Sequence, residues 1–308
     1  MLFVWLALAA VVILLAIGII TRICYRMAFY EANPDRGDII DIPEGDIYEP
    51  YREQMENWIR QLRQMPHEAF SITAHDGLTL HGKFYEYAPG APIELMFHGY
   101  RGSAERDLSG GVQRCFRLGH SALIVDQRCS GKSQGHTITF GIHEHKDCLA
   151  WLEKMVTHFG PQQQFILTGI SMGAATVMMT ANRELPPNVI GILADCGYTS
   201  PKAIIQTVIG QMGLPKKLSY PFVRLAARIW GKFDLEETSP LEAVSQARVP
   251  IIFFHGEADD YVPCDMSREL YDACPTRKAL VTVPGAGHGL SFLADPEAYL
   301  DAARKFFH

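Results

Sequence analysis

Gly169-Ile170-Ser171-Met172-Gly173 stands between a strand-like apolar run, Phe165-Ile166-Leu167-Thr168, and a helix-like run, Ala174 to Met179. A serine in G-x-S-x-G at a strand-to-helix turn sits on a bend so sharp that its backbone is strained, and only glycine leaves room at the flanking positions. The turn lifts the Ser171 hydroxyl to the top of a sheet, beside a helix N-terminus whose free N–H groups favour negative charge. A serine hydroxyl is a poor nucleophile until a base takes its proton, and that base is usually a histidine oriented by a carboxylate. Both partners follow in chain order. His255-Gly256-Glu257-Ala258-Asp259-Asp260 comes after the apolar run Ile251–Phe254, and Gly287-His288-Gly289 comes after Ala279–Val283.

Three remote side chains meet only if a scaffold brings their loops to one edge. The chain alternates accordingly. Ala69–Thr73 and Leu78–Phe84 flank the turn His75-Asp76-Gly77, a hairpin signal. Strand-like runs follow at Ile93–Phe97, Ala122–Val125, Phe165–Leu167, Val189–Ala194, Ile251–Phe254 and Ala279–Val283. Helix-length stretches lie between or after them at Ser103–Leu118, His143–Phe159, Ser171–Glu184, Pro263–Ala273 and Pro296–Phe307. Continuous apolar strands alternating with helices predict an α/β fold: a mostly parallel central sheet with helices on both faces, and the hairpin as an antiparallel edge. Between Cys196 and Pro240 the rhythm breaks. Helix-like pieces Lys202–Gly210 and Tyr220–Trp230, separated by Gly213-Leu214-Pro215, predict a helical cap over the C-terminal edge of the sheet, at about 197–240. Its apolar residues pack the cap onto the body, line a substrate pocket, or both.

Five motifs in this order resemble the α/β-hydrolase-fold serine hydrolases of the bacterial esterase, lipase and serine-aminopeptidase-like branch. They are His98-Gly99, Asp126-Gln127-Arg128 with Gly131-Lys132-Ser133, the serine turn, His255-Gly256-x-x-Asp259-x-x-Val262-Pro263, and Gly287-His288-Gly289. The resemblance covers roughly residues 70–307. It implies Ser171 as nucleophile, His288 as general base and then acid, and Asp259 as the carboxylate that orients the imidazole. Asp260 is a neighbouring competitor for that last role. It also implies an oxyanion hole from the N–H groups of Met172 and Tyr100, with the Tyr100 side chain lining the pocket. The family usually has glycine after Asp-x-Arg, where this chain has Cys129. Water completes the second half-reaction, so neither cofactor nor metal is required. Asp126 and Arg128 are expected to form a structural ion pair, and His98 and His255 to brace their loops. His143-Glu144-His145 has the look of a metal pair but no further ligand in the adjacent sequence, and is not read as a metal site.

Bulk properties narrow the classes. The chain has 308 residues, 48% of them hydrophobic, and a net charge of −6. With no basic cluster larger than Lys216-Lys217, nucleic-acid binding is not expected. Seven scattered cysteines without C-x-x-C argue against a disulfide framework or a zinc site. Leu2 to Ile20 carries no charge. As a helix it spans roughly 28 Å, close to the hydrocarbon thickness of a bilayer. Trp5, Arg22, Tyr25 and Arg26 fit interfacial anchors. A cleaved signal peptide would want a basic start and a small-x-small site, and neither is evident. Residues 1–30 are therefore expected to be a transmembrane anchor and its flank, 31–65 a linker and amphipathic helix (Tyr51 to Met65), and 66–308 the hydrolase domain. By the positive-inside rule Arg22 and Arg26 favour a cytoplasmic globular part, while the nearby Glu31, Asp35 and Asp38 leave the opposite side open. The expected activity is cleavage of a small-molecule acyl ester through an acyl-serine intermediate. The alternatives are a peptide amide, acyl transfer to another acceptor, or a hydrolase fold kept as a binding module. Deleting residues 1–30 is expected to release a soluble, active domain.

Overall fold

A computed structural model describes residues 1–32 and 39–307. Eight strands form one sheet: β1 Glu68–Thr73, β2 Thr79–Tyr85, β3 Ile93–Phe97, β4 Ser121–Asp126, β5 Phe165–Ile170, β6 Val189–Asp195, β7 Ile251–Gly256 and β8 Lys278–Val283. Their order is β1-β2-β4-β3-β5-β6-β7-β8. β2 runs antiparallel to β1 and β4, and every other pair is parallel. This is the mostly parallel sheet with an antiparallel edge that the apolar runs predict.

The helices are α1 Leu2–Ala28, α2 Arg52–Gln64, α3 Ala104–Leu118, α4 Glu144–Phe159, α5 Met172–Met178, α6 Pro201–Gln211, α7 Lys216–Ala226, α8 Pro240–Ser245, α9 Asp265–Ala273, α10 Ser291–Ala294 and α11 Pro296–Phe307. Alternate strand residues face opposite layers. Leu95, Leu123, Leu167, Ile192 and Phe253 pack against Trp151 and Leu152 of α4, Val177 of α5 and Leu270 of α9. On the other face Met96 and Ile124 meet Leu108 and Val112 of α3, while Leu193, Ile252 and Phe254 meet Tyr299, Leu300 and Phe306 of α11. The cap follows β6, as expected. Ser200 accepts from Ala203 N–H to cap α6, Gly213 turns the chain with φ +73°, and a π-helical turn, Ala227–Gly231, ends α7.

Three expectations change. The helix after Ser171 stops at Met178 instead of reaching Glu184. Beyond it the Thr180 hydroxyl takes Val177 O, and Ala181 O accepts Arg248 N–H, so the carbonyls that would extend the helix are used elsewhere. The second change concerns α1. Residues 2–16 are exposed along their whole length, but the last turns dock on the cap. Phe29 is fully buried edge-on to Phe140 and Phe233. Tyr25, expected at a membrane interface, hydrogen-bonds Thr137 Oγ1 at 2.7 Å inside the fold. The third concerns the linker. Residues 33–38 lie outside the described residues, but 39–50 are not a free tether. Ile47 lies against Gly287, and Tyr48, Tyr51 and Met55 pack on Ala286 and Leu290.

One buried charge cluster was hidden inside an apolar run. Glu94 of β3 is fully buried with Arg114, His120 Nδ1 at 2.8 Å and Thr168 Oγ1 at 2.9 Å. Burial alone would raise its carboxyl. The Arg114 guanidinium and His120 outweigh that and hold it at about 2, below the ordinary 4.5. A depressed carboxyl stabilises the fold above its unfolded value, and that contribution is lost as pH falls from about 4.5 towards 2. Glu94→Gln should cost ~3–5 kcal/mol at neutral pH, because Arg114 loses its buried counter-charge. The variant should also lose this segment of acid sensitivity. Denaturant unfolding of both proteins across that pH window checks the expectation.

Candidate active site

The serine turn has the predicted geometry, for steric reasons. Ser171 has φ +56° and ψ −117°, a region L residues rarely enter. A Cβ on Gly169 would lie 2.1 Å from Gly173 C, and one on Gly173 would lie 2.0 Å from Phe97 O. Only glycine fits at either place. Ser171 N–H donates to Asp195 O at 2.8 Å, which pins the turn to β6.

The structure brings Ser171, Asp259 and His288 together. Ser171 Oγ lies 2.9 Å from His288 Nε2, and His288 Nδ1 lies 2.7 Å from Asp259 Oδ2. The carboxylate selects the tautomer: Nδ1–H donates to it, leaving Nε2 to accept from the hydroxyl. Asp259 Oδ1 accepts from Tyr261 N–H at 3.0 Å and Val262 N–H at 2.8 Å. Burial would raise its carboxyl, but bonds from His255, His288 and Val262 N–H hold it well below the ordinary carboxylate range. Asp259, not Asp260, faces the imidazole. Gly256 lets the two loops meet, since a Cβ there would lie 2.2 Å from Ala286 O.

The loop after β3 closes over the serine. Gly99 lies so near that a Cβ on it would be 3.6 Å from Ser171 Cβ. Gly99 N–H is taken by Asp107 Oδ2 at 2.9 Å, so the next N–H in the loop is that of Tyr100. Met172 is the first residue of α5, and its N–H has no intrahelical acceptor. A hydroxyl, an imidazole and a carboxylate in line can move a proton off the hydroxyl. The Tyr100 side chain stacks on Phe140 and donates to Ala28 O at 3.0 Å, which ties this loop to the end of α1.

The bracing histidines behave as expected. His98 Nε2 accepts from Gln127 N–H at 3.0 Å, and His255 holds Ser267 Oγ at 2.6 Å and Val262 O at 2.8 Å. Asp126 and Arg128 do not pair. Asp126 Oδ1 accepts from Ala104 N–H at the start of α3, while Arg128 grips Asp147 at 2.7 and 2.8 Å and Asp76 at 2.9 Å. Asp126 is the last residue of β4, whereas Arg128 lies in the turn beyond it, so strand alternation does not couple the two side chains and each finds a different helix. Cys129 adopts φ +69°, which explains the family's preference for glycine there. Glu144 and His145 serve the turn before α4, with Glu144 accepting from Gly141 N–H and His145 Nδ1 bonding Gly141 O. His143 stacks on His75, a neighbour that the local sequence does not reveal, beside the Arg128–Asp76 ion pair.

Two contributors escaped sequence reasoning. Asp107 reads as an ordinary first-turn acid of α3, yet its side chain is only 8% exposed and holds the Gly99 peptide. Tyr48, in the expected linker, donates to His288 O at 3.0 Å. With Pro43 to Ile47 it walls a cavity of about 600 Å³ over Ser171 and His288. No local pattern marks either role, because each partner is remote in sequence.

A serine on the turn after β5, an acid after β7 and a histidine after β8, all at one edge of a mostly parallel sheet, define the α/β-hydrolase class. Residues 95–302 match the family model described as "Alpha/beta hydrolase family", and the chain belongs to that family. It is 26% identical over 307 residues to YqkD of Bacillus subtilis, covering 97% of this chain and 94% of that one. Among solved structures it is similar to the esterase Pf2001 of Pyrococcus furiosus, with TM-score 0.63, 18% identity, and 90% and 96% of the two chains covered. It is also similar to a puromycin-hydrolyzing peptidase of Mycobacterium tuberculosis, with TM-score 0.60, 18% identity, and 79% and 39% covered.

Proposed function

We propose that the chain is a membrane-tethered serine hydrolase that cleaves carboxylic esters through an acyl-serine intermediate. The carrying observation is the unbroken relay from Ser171 Oγ through the His288 imidazole to Asp259, at 2.9 and 2.7 Å. In this reading His288 Nε2 takes the Ser171 proton as Oγ attacks the carbonyl carbon. The N–H groups of Met172 and Tyr100 receive the developing oxyanion, each donor contributing roughly 10²–10³-fold. His288 then protonates the leaving alkoxide, and water, deprotonated by the same imidazole, releases the acid. Asp259 stays ionised throughout, so it does not set the acid limb of the pH profile.

The tether is α1, whose apolar window has a mean hydropathy of 3.0 with none of it buried against the body. The proposed organisation is an anchor and flank in residues 1–30, a connecting segment and helix in 31–65, and a hydrolase domain in 66–308 with its cap at about 197–240, the anchor's last turns and the segment 39–50 being packed on the domain. Amide cleavage is the second reading, favoured by the likeness to the peptidase. It uses the same residues and differs only in leaving group. A fluorophosphonate should modify wild-type protein at Ser171 and leave Ser171→Ala unmodified, read by intact mass and peptide mapping. A folded wild type that resists the reagent would sink the enzyme reading. Rates on p-nitrophenyl esters against aminoacyl amides then separate the two substrates.

A further inference from the structure

α1 and the cap enclose a second cavity, of about 330 Å³. Met27 of α1, Val208 of α6, Met212 just after it, and Phe222 of α7 form its walls, and among the described residues no charged side chain lines it. Tyr100 and Tyr261 line both this cavity and the one over Ser171. The two cavities therefore meet at these two residues. Tyr100 belongs to the proposed oxyanion loop, and the Tyr261 ring lies 5.2 Å from the His288 imidazole. A carbonyl held at Ser171 therefore adjoins an apolar void. A charged or peptidic group placed there would give up its hydrogen bonds to water without replacement, whereas a hydrocarbon chain gives up nothing.

The same helix connects the void to a lipid surface. Ile20, the last apolar residue before Thr21 and Arg22, is part of the wall. From Ile20 to Met27 a helix rises only roughly 10 Å, so the void begins where the bilayer-length stretch ends. Beside that point the cap exposes Met212, Leu214, Leu218, Ile229 and Trp230. Trp230 Nε1 donates to Thr21 Oγ1 at 3.2 Å, and the Arg22 guanidinium sits 4.9 Å over its ring. A tryptophan and an arginine at a helix exit, flanked by bare aliphatic side chains, form a surface suited to the bilayer interface.

We propose that this cavity receives the hydrocarbon chain of a fatty acyl ester drawn from the bilayer, with the ester carbonyl at Ser171. The inference deepens the serine-hydrolase reading and rests on it. The Oγ–acyl bond forms as the acyl–alcohol bond breaks, and the serine proton leaves on the alcohol. Water then cleaves the acyl-serine and frees the fatty acid.

The test uses the full chain in detergent, with p-nitrophenyl acetate, butyrate, octanoate and decanoate. Wild-type kcat/KM should rise roughly fourfold per methylene, the gain from burying a CH2 group, until the void is full. Val208→Trp, which fills the void, should flatten that rise, and Met212→Trp in the same wall gives a second reading should the first variant misfold. An ethyl fluorophosphonate reports separately on Ser171. Normal labelling with a flat wild-type profile, or with a profile unchanged in a folded filling variant, overturns the cavity and leaves the hydrolase reading standing. A folded wild type that does not label overturns both. For the membrane source, decanoyl ester is carried in phosphatidylcholine vesicles. Removing residues 2–19 should lower that rate roughly tenfold or more relative to the same ester in detergent, because the effective concentration at the surface is lost. An equal effect in both media overturns delivery from the bilayer.

Discussion

Ser171→Ala and His288→Ala are each expected to lower kcat roughly a millionfold, and Asp259→Asn roughly ten-thousandfold, with the fold retained. The three act as one unit, so Ser171→Ala combined with His288→Ala should be little worse than either alone. Asp259→Asn should be severe because an amide placed opposite His288 Nδ1 no longer selects the tautomer that leaves Nε2 free to accept. Asp260→Asn should cost less than roughly tenfold, since the Asp259 carboxylate is the one 2.7 Å from the imidazole. Ester hydrolysis beside unfolding midpoints decides it. A collapse of activity at Asp260 with Asp259→Asn near wild type would move the orienting role to the neighbouring carboxyl.

Removing residues 2–30 is expected to destabilise the cap and impair catalysis, while removing 2–19 should yield a stable, active domain. The sequence-based expectation placed the whole stretch outside the fold. Phe29, however, fills the space between Phe140 and Phe233, with ring centroids 5.9 and 5.3 Å away. Phe29→Ala alone should cost ~3–5 kcal/mol, by lost burial and the cavity left behind. The longer deletion also removes Ala28 O, the acceptor for the Tyr100 hydroxyl, and so loosens the loop that carries a proposed oxyanion donor. The full chain should pellet with membranes and resist a high-salt wash, whereas the shorter deletion should stay in the supernatant. Unfolding midpoints and fluorophosphonate labelling rates compare the two deletions. Equal values for both would show that the helix end contributes nothing.

What the sequence made readable was whatever is written locally. The serine turn carries its glycines within one pentapeptide, because backbone crowding at Gly169 and Gly173 admits nothing larger. Asp259 and His288 each follow an apolar run closely enough that a strand end places them. The sheet was readable for the same reason: a strand buried on both faces is apolar along most of its length. Interactions between remote segments were not readable. Arg128 pairs with Asp147 and Asp76, not with its near neighbour Asp126, because Asp126 closes β4 and Arg128 lies in the turn beyond it. Residues 39–50 looked like a connector because their Pro, Gly and Asp content matches one, while Ile47 and Tyr48 dock on a loop near the far end of the chain. Glu94 sits in a run that reads as plain hydrophobic strand. Only the fold brings Arg114 and His120 to it.

The docking of Tyr25 and Phe29 bears on how such an enzyme would encounter its targets. A hydrolase on a slack leash samples a hemisphere of solution and can turn its mouth toward anything within that radius. Here the end of α1 is already part of the folded body, so an anchor formed by α1 would leave no slack between bilayer and catalytic edge. With α1 inserted, the opening is held at one height and one tilt and sweeps a plane. Turnover would then follow the number of substrate molecules per unit of surface, and diluting the vesicles at constant surface composition would leave it nearly unchanged.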